Sequence, residues 1–338
     1  MKKVLAIILS LVMLFSLAAC GGTEGGDGEQ KATTIKVAHW FAESHPQHQA
    51  FLKFKEIVEE KSGGSLKVEI YPNSQLGSED TYIDSVKQGT VQIGATGTMI
   101  AKYVSHIYTA ETPFLVKDWT EAQDVYTGDM IQLLTDGFKD ASGMEIKAVT
   151  VNGFRQFSSN KTMNDLSEFK GQRICVPNVP NYVKMVEALG SSAIAMSLTE
   201  LFTALEQDVV DGQDNPFPTD VTSSFYEVQK YALQSNHMFS PMFWVINSKF
   251  YDGLTEEQKT VLDEAFAEAG AYNWELSIAD NDKAKDTLVE NGMEITVPDD
   301  AYVADLQKAM EPVYDWYIEE FGGNTEEFFK AVWAYQGK

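Results

Sequence analysis

Apolar positions along this chain recur with two different periods. Phe51, Phe54, Ile57 and Val58 are spaced three and four apart, which predicts a helix over Pro46–Lys61, with Gly63 and Gly64 beyond its end as a stop. Leu66–Tyr71 (LKVEIY) alternates and ends at Pro72, which predicts a strand. The two patterns then take turns. Strands are expected at residues 35–39, 91–96, 145–151, 173–176 and 193–196, and helices at 80–88, 121–138, 182–189 and 199–207. Such alternation implies an α/β fold of mostly parallel sheets covered by helices on both faces.

One segment departs from this rhythm. Residues 256–291 contain no proline and a single glycine, Gly270. Thr255 and Gln258 have the form of a capping box, and Gly292 can close the far end. Unbroken, such a helix reaches roughly 54 Å at about 1.5 Å per residue. That exceeds one lobe of a chain this size, so it is expected either to lie across two lobes as a strut or to kink near Gly270.

The N-terminus is a different kind of sequence. Lys2 and Lys3 precede an apolar run too short for a comfortable membrane span, and the run ends in Leu17-Ala18-Ala19-Cys20. This order reads as a secretory signal over residues 1–19 with a lipobox, the site at which bacteria attach diacylglycerol to the cysteine. Residues 20–32 then read as a flexible tether holding a folded body outside the cytoplasm, at the cell membrane. With Cys20 carrying lipid, Cys175 has no partner and no disulfide framework exists. The formal charge of −24 repels nucleic acid and anionic headgroups. Any site for an anion must therefore be locally positive.

Catalytic signatures are missing: there is no GxSxG, HExxH, Walker loop or GxGxxG. Cys175 lies in FKGQRICVP between Ile174 and Val176, a setting typical of a packed thiol. His39, His45 and His48 read as surface or capping histidines, and Asp208, Asp211 and Asp214 as a solvated turn without calcium-loop spacing. Neither a metal nor a cofactor is expected. Arg155 is more suggestive. It follows a strand, where open α/β sheets place ligands, and its parallel N–H donors suit a carboxylate. Arg173 is the other candidate.

Five stretches bear on the question together: YPNSQLGSE (71–79), NGFRQFSSN (152–160), LSEFKGQRICVPN (166–178), ALEQDVVDGQDNP (204–216) and FYEVQKY (225–231). In this order and spacing the chain resembles the solute-binding proteins of the tripartite ATP-independent periplasmic (TRAP) transporters, from Thr34 to the C-terminus. The resemblance implies no enzyme. It implies a two-lobed, periplasmic-binding-protein-like receptor that closes on a small organic acid and delivers it to a sodium-driven membrane permease. The long helix would span both lobes. One lobe would combine residues 33–152 with about 241–279, the other 153–240 with about 280–338.

The same resemblance marks the site. The family's clamp arginine stands two residues before the proline of the 166–178 block, and that position is Cys175 here. Arg155 matches the other pocket arginine, Asn215 and Asn178 match pocket asparagines, and Trp40, Thr96, Thr98 and Leu198 fall at lining positions. Arg173 shares the strand face of Cys175, about 6–7 Å further from the proline end. Two ligands follow: a monocarboxylate held by Arg155 alone, or a dicarboxylate or sugar acid if Arg173 replaces the clamp. A sulfonate or neutral polar solute is a third, and a receptor serving a signalling protein is the alternative function.

Overall fold

A computed structural model describes residues 32–338; Cys20, the signal and most of the tether fall outside the described residues. Nine strands form one sheet: β1 (Thr33–Ala38), β2 (Leu66–Tyr71), β3 (Ile93–Thr96), β4 (Met144–Ser159), β5 (Arg173–Val176), β6 (Ser192–Ala195), β7 (Gly212–Pro216), β8 (Tyr231–Asn247) and β9 (Glu294–Thr296). Their order is β2-β1-β3-β8-β4-β7-β5-β6, with β9 also paired to β8. The architecture is α/β and two-lobed. At one end β2, β1 and β3 form a parallel wing, and at the other β7, β5 and β6 form a second.

Two long antiparallel strands join the wings, so the sheet is mixed rather than mostly parallel. β3 pairs with the last turns of β8, while β7 pairs with the far end of β4. The β4–β8 ladder slips register at three places, one between Val151 and Gly153. Gly153 has φ 133°, and a Cβ there would stand 3.2 Å from Pro216 Cβ, so the position needs glycine. Opposite Val151 lies Pro241, which has no N–H to give to the ladder. The strand β8 escapes a period-2 reading because this proline and several polar residues interrupt it.

The Glu256–Glu290 helix is a single element that runs without a break through Gly270, and the Thr255–Gln258 capping box forms. It spans both lobes. Its first half buries Leu262, Phe266 and Ala269 in a core with Phe54 and Trp244. Its last turns bury Ala284 and Leu288 against Phe217, Ala232 and Met293. Between them, Asn273 Oδ1 accepts the Val151 N–H at 2.7 Å, and Trp274 Nε1 donates to the Val149 carbonyl at 3.1 Å. Ser277 Oγ of the same helix donates to the Val151 carbonyl at 3.3 Å, a donor that Pro241, without an N–H, cannot supply. Gly270 lies against β4, where a Cβ would be 3.4 Å from Ala148 Cβ.

The segment 121–138, expected as one helix, is three: Trp119–Thr127, Met130–Thr135 and Phe138–Ser142. Gly128 leaves the helix in an extended conformation and Gly137 takes a left-handed one, which divides the run. No helix among the described residues is long and apolar enough to cross a membrane.

Candidate functional site

Both wings and the β4–β8 crossing contribute walls to a cavity of about 410 Å³. Arg155, Cys175, Asn178, Asn215, Trp40, Thr98 and Leu198 all line it.

Arg155 sits on β4 just beyond the Gly153 bulge and is 4% exposed. Its Nε donates to Asp214 Oδ2 at 2.7 Å, and its Nη2 to Asp214 Oδ1 at 3.2 Å, to Asn215 Oδ1 at 3.3 Å and to the Asp214 carbonyl. The guanidinium lies 4.7 Å from the centroid of the Tyr182 ring. Burial opposes its charge, but Asp214 beside it more than offsets this and holds the guanidinium charged. Asp214 in turn stays below the usual carboxylate range: burial pushes it up, and Arg155 and His237 push it down further. One edge of the arginine fork is thus taken by the protein. Nη1 has no hydrogen-bond partner among the described residues, and Arg155 lines the cavity.

A second buried carboxylate lines the cavity. Glu111 Oε1 accepts the hydroxyls of Tyr182 at 2.6 Å and Ser240 at 2.7 Å, and Oε2 accepts that of Thr98. Its backbone carbonyl accepts from Tyr317 at 2.7 Å. Three neutral donors from three separate elements therefore satisfy one charge.

Glu79 is the third. It opens the Glu79–Gln88 helix and faces the cavity. Its Oε1 accepts from the Thr96 hydroxyl at 2.6 Å and the Gly97 N–H at 2.9 Å. Burial pushes its carboxyl up to about 7 against the pull of those two donors, and the Glu111 charge adds to the rise.

Several expectations change in the light of this geometry. Thr96 does not line the cavity but stands behind Glu79, because its hydroxyl points at that carboxylate. Arg173 lies away from it: its Nε and Nη2 bind Asp211 at 3.1 and 3.0 Å, with its side chain 41% exposed. Asp214 is a buried member of β7 rather than part of a solvated turn. The three histidines are all buried. His45 caps Pro46–Lys61 as expected, while His39 Nε2 and His48 Nδ1 are 3.1 Å apart. Burial pushes His39 and His45 down to about 3, so both are neutral. No cluster of three metal-ligating residues occurs among the described residues.

Cys175 joins two roles. It is 4% exposed and packs with Leu201, Leu205, Val210 and Phe225, yet its side chain reaches the cavity. Burial pushes the thiol up to about 12, with the Asp214 charge adding, so it is not a nucleophile. Trp40 stacks on Phe41 with centroids 3.6 Å apart and presents an aromatic wall. Glu111, Tyr182, Asp214 and Ser240 escaped the sequence reading. Glu79 and Asp214 carried a signal, since Glu79 closes the YPNSQLGSE stretch and Asp214 lies within ALEQDVVDGQDNP.

The two-lobed fold and a cavity walled by buried polar side chains have the form of a solute receptor. Residues 37–320 match the family described as bacterial extracellular solute-binding protein, family 7, and the chain belongs to that family. It is similar to a TRAP periplasmic solute-binding protein of Haemophilus influenzae solved with bound L-gulonate, at 33% identity and a TM-score of 0.85, covering 88% of this chain and 98% of that one. A Desulfovibrio desulfuricans counterpart with bound sn-glycerol-3-phosphate superposes with a TM-score of 0.87 at 29% identity, over 90% and 97% of the two chains. Among characterised relatives, the C4-dicarboxylate-binding periplasmic protein of Rhodobacter capsulatus is 29% identical over 308 residues, 89% of this chain and 91% of its own. The family consists of receptors, not enzymes, that bind small organic acids and work with membrane permease subunits.

Proposed function

We propose that this protein is a lipid-anchored, extracytoplasmic receptor that encloses a small organic solute bearing one acidic group and passes it to a sodium-driven TRAP permease. The observation that carries the reading is the single open corner of Arg155. Asp214 occupies the Nε–Nη2 edge, Arg173 is bound elsewhere, and Cys175 stands where the family's clamp arginine is expected. Nη1 therefore offers its donors to one acid group, with the Trp40 and Cys175 walls beside it. The gulonate-bound relative also holds a solute with a single carboxylate.

The dicarboxylate alternative loses its support with Arg173 turned towards Asp211. Anchoring rests on the Leu17–Cys20 lipobox and the acidic, glycine-rich tether. Melting of the protein freed of its leader against a library of carboxylates, sulfonates and polyols tests the receptor reading. A bound solute at 100 times its Kd raises native stability by about 2.7 kcal/mol. A shift with monoacids that Arg155→Ala abolishes supports the reading, and a shift with neutral polyols alone overturns it. Fatty-acid labelling that survives Cys20→Ala overturns the anchor.

A further inference from the structure

The cavity is acidic. Glu79, Asp80, Glu111, Glu200 and Asp214 line it, and Arg155 is the only cationic side chain among the lining residues. Three of these carboxylates are already engaged. Asp214 pairs with Arg155, Glu111 holds three hydroxyls, and Asp80 accepts from Lys102 Nζ at 2.8 Å. Glu200 is half engaged, since its Oε2 accepts from Ser197 N at 3.2 Å and Ser197 Oγ at 2.7 Å. Glu79 is left with one oxygen bound to Thr96 and Gly97, and its Oε2 has no partner among the described residues.

Two residues that line one cavity therefore each keep an unfilled group, and the two are of opposite charge: Arg155 with Nη1 and Glu79 with Oε2. They come from different walls, Arg155 from β4 beside β7 and Glu79 from the start of the Glu79–Gln88 helix, beside the end of β3. We propose that the solute is a small zwitterion, an amino acid or a betaine-like molecule, whose carboxylate meets Arg155 and whose cationic nitrogen meets Glu79; this rests on the receptor reading above. A second carboxylate on the solute would face Glu79, Glu111 and Glu200 with no second cation to meet it. A cationic nitrogen inverts that term, and the Trp40 face suits it as well. A hydroxyl would satisfy the hydrogen bond but not the charge.

The test compares matched solutes by calorimetric titration of the leader-free protein: 2-amino acids, betaines, the corresponding 2-hydroxy acids, the plain acids and dicarboxylates. An amino acid or betaine is expected to bind at least about tenfold tighter than its 2-hydroxy counterpart. Glu79→Gln, confirmed folded by its circular dichroism, is expected to erase that ratio by weakening the amino acid or betaine at least about tenfold more than its 2-hydroxy counterpart. Equal or tighter binding of hydroxy acids or dicarboxylates, or a ratio that Glu79→Gln leaves unchanged, overturns the zwitterion alone, because acid binding lost in Arg155→Ala would still stand. Failure of every acid and zwitterion to bind, or binding indifferent to Arg155→Ala, overturns the receptor reading with it.

Discussion

Arg155 and Asp214 form a buried ion pair at 2.7 Å that consumes one edge of the guanidinium before any solute arrives. The arginine is therefore not an unpaired charge awaiting an anion, and its burial alone says little about the ligand. The pair shapes the donor instead, by fixing the fork's orientation and leaving a single corner open.

Removing either partner leaves the other buried without compensation. Asp214→Asn is expected to destabilise the fold by roughly 3–5 kcal/mol in urea unfolding, and Arg155→Met by a similar amount. The double variant should lose clearly less than the sum. Additive losses would show that the pair contributes no coupling.

Glu79 makes stability depend on pH in the direction opposite to ordinary acid denaturation. Its folded-state pKa of about 7 lies above that of the unfolded chain, so the folded protein holds a proton that the unfolded one has released. Stability from this group is present at low pH and lost as pH rises from about 4.5 through 7. Glu79→Gln should match wild type near pH 5 and exceed it by ~1–2 kcal/mol at pH 8, after allowing for screening by water in the cavity. Parallel melting curves of the two proteins at both pH values decide this. His39 and His45 act in the other sense, losing stability as pH falls below about 6.5, but they cancel in the comparison.

Cys175 should resist alkylation. Its thiol is buried and held protonated up to about pH 12, so iodoacetamide at pH 8 should modify it only as fast as the protein opens. Rapid stoichiometric labelling of folded protein would contradict the assigned burial.

Gly270→Ala tests whether the long helix bends there in use. The new Cβ would make ordinary contact with Ala148 Cβ at 3.4 Å, and the helix gains up to ~1 kcal/mol from the better former. Unchanged solute affinity with raised stability is the expected result. A large loss of affinity at unchanged fold would mean that flexure at this glycine accompanies closure.

Much of the fold could be read locally. The Pro46–Lys61 helix, β1, β2 and β5 follow from periodicity, and the Thr255–Gln258 box marks the start of the strut. Arg155, Cys175, Asn178 and Asn215 were found through motif resemblance and share one cavity. Glu111 was invisible for a physical reason: its three hydroxyl donors lie 13, 71 and 129 residues away in sequence, so nothing near it announces a buried charge. Asp214 looked like one of three turn aspartates because its partner is 59 residues distant. Thr96 and Arg173 have plausible positions but side chains directed at Glu79 and Asp211, and side-chain direction is set by partners rather than by spacing.

The Glu256–Glu290 helix has one further consequence, for how such a gene can change. Asn273 and Trp274 are fastened to the backbone of β4, while Ala284 and Leu288 must land on a cluster formed by other segments. Adding or deleting one residue between these fastenings would turn everything beyond it by about 100° and shift it by about 1.5 Å. Turns elsewhere can drift in length at small cost. The codon count of this stretch is therefore expected to stay frozen through descent while its surface residues vary freely.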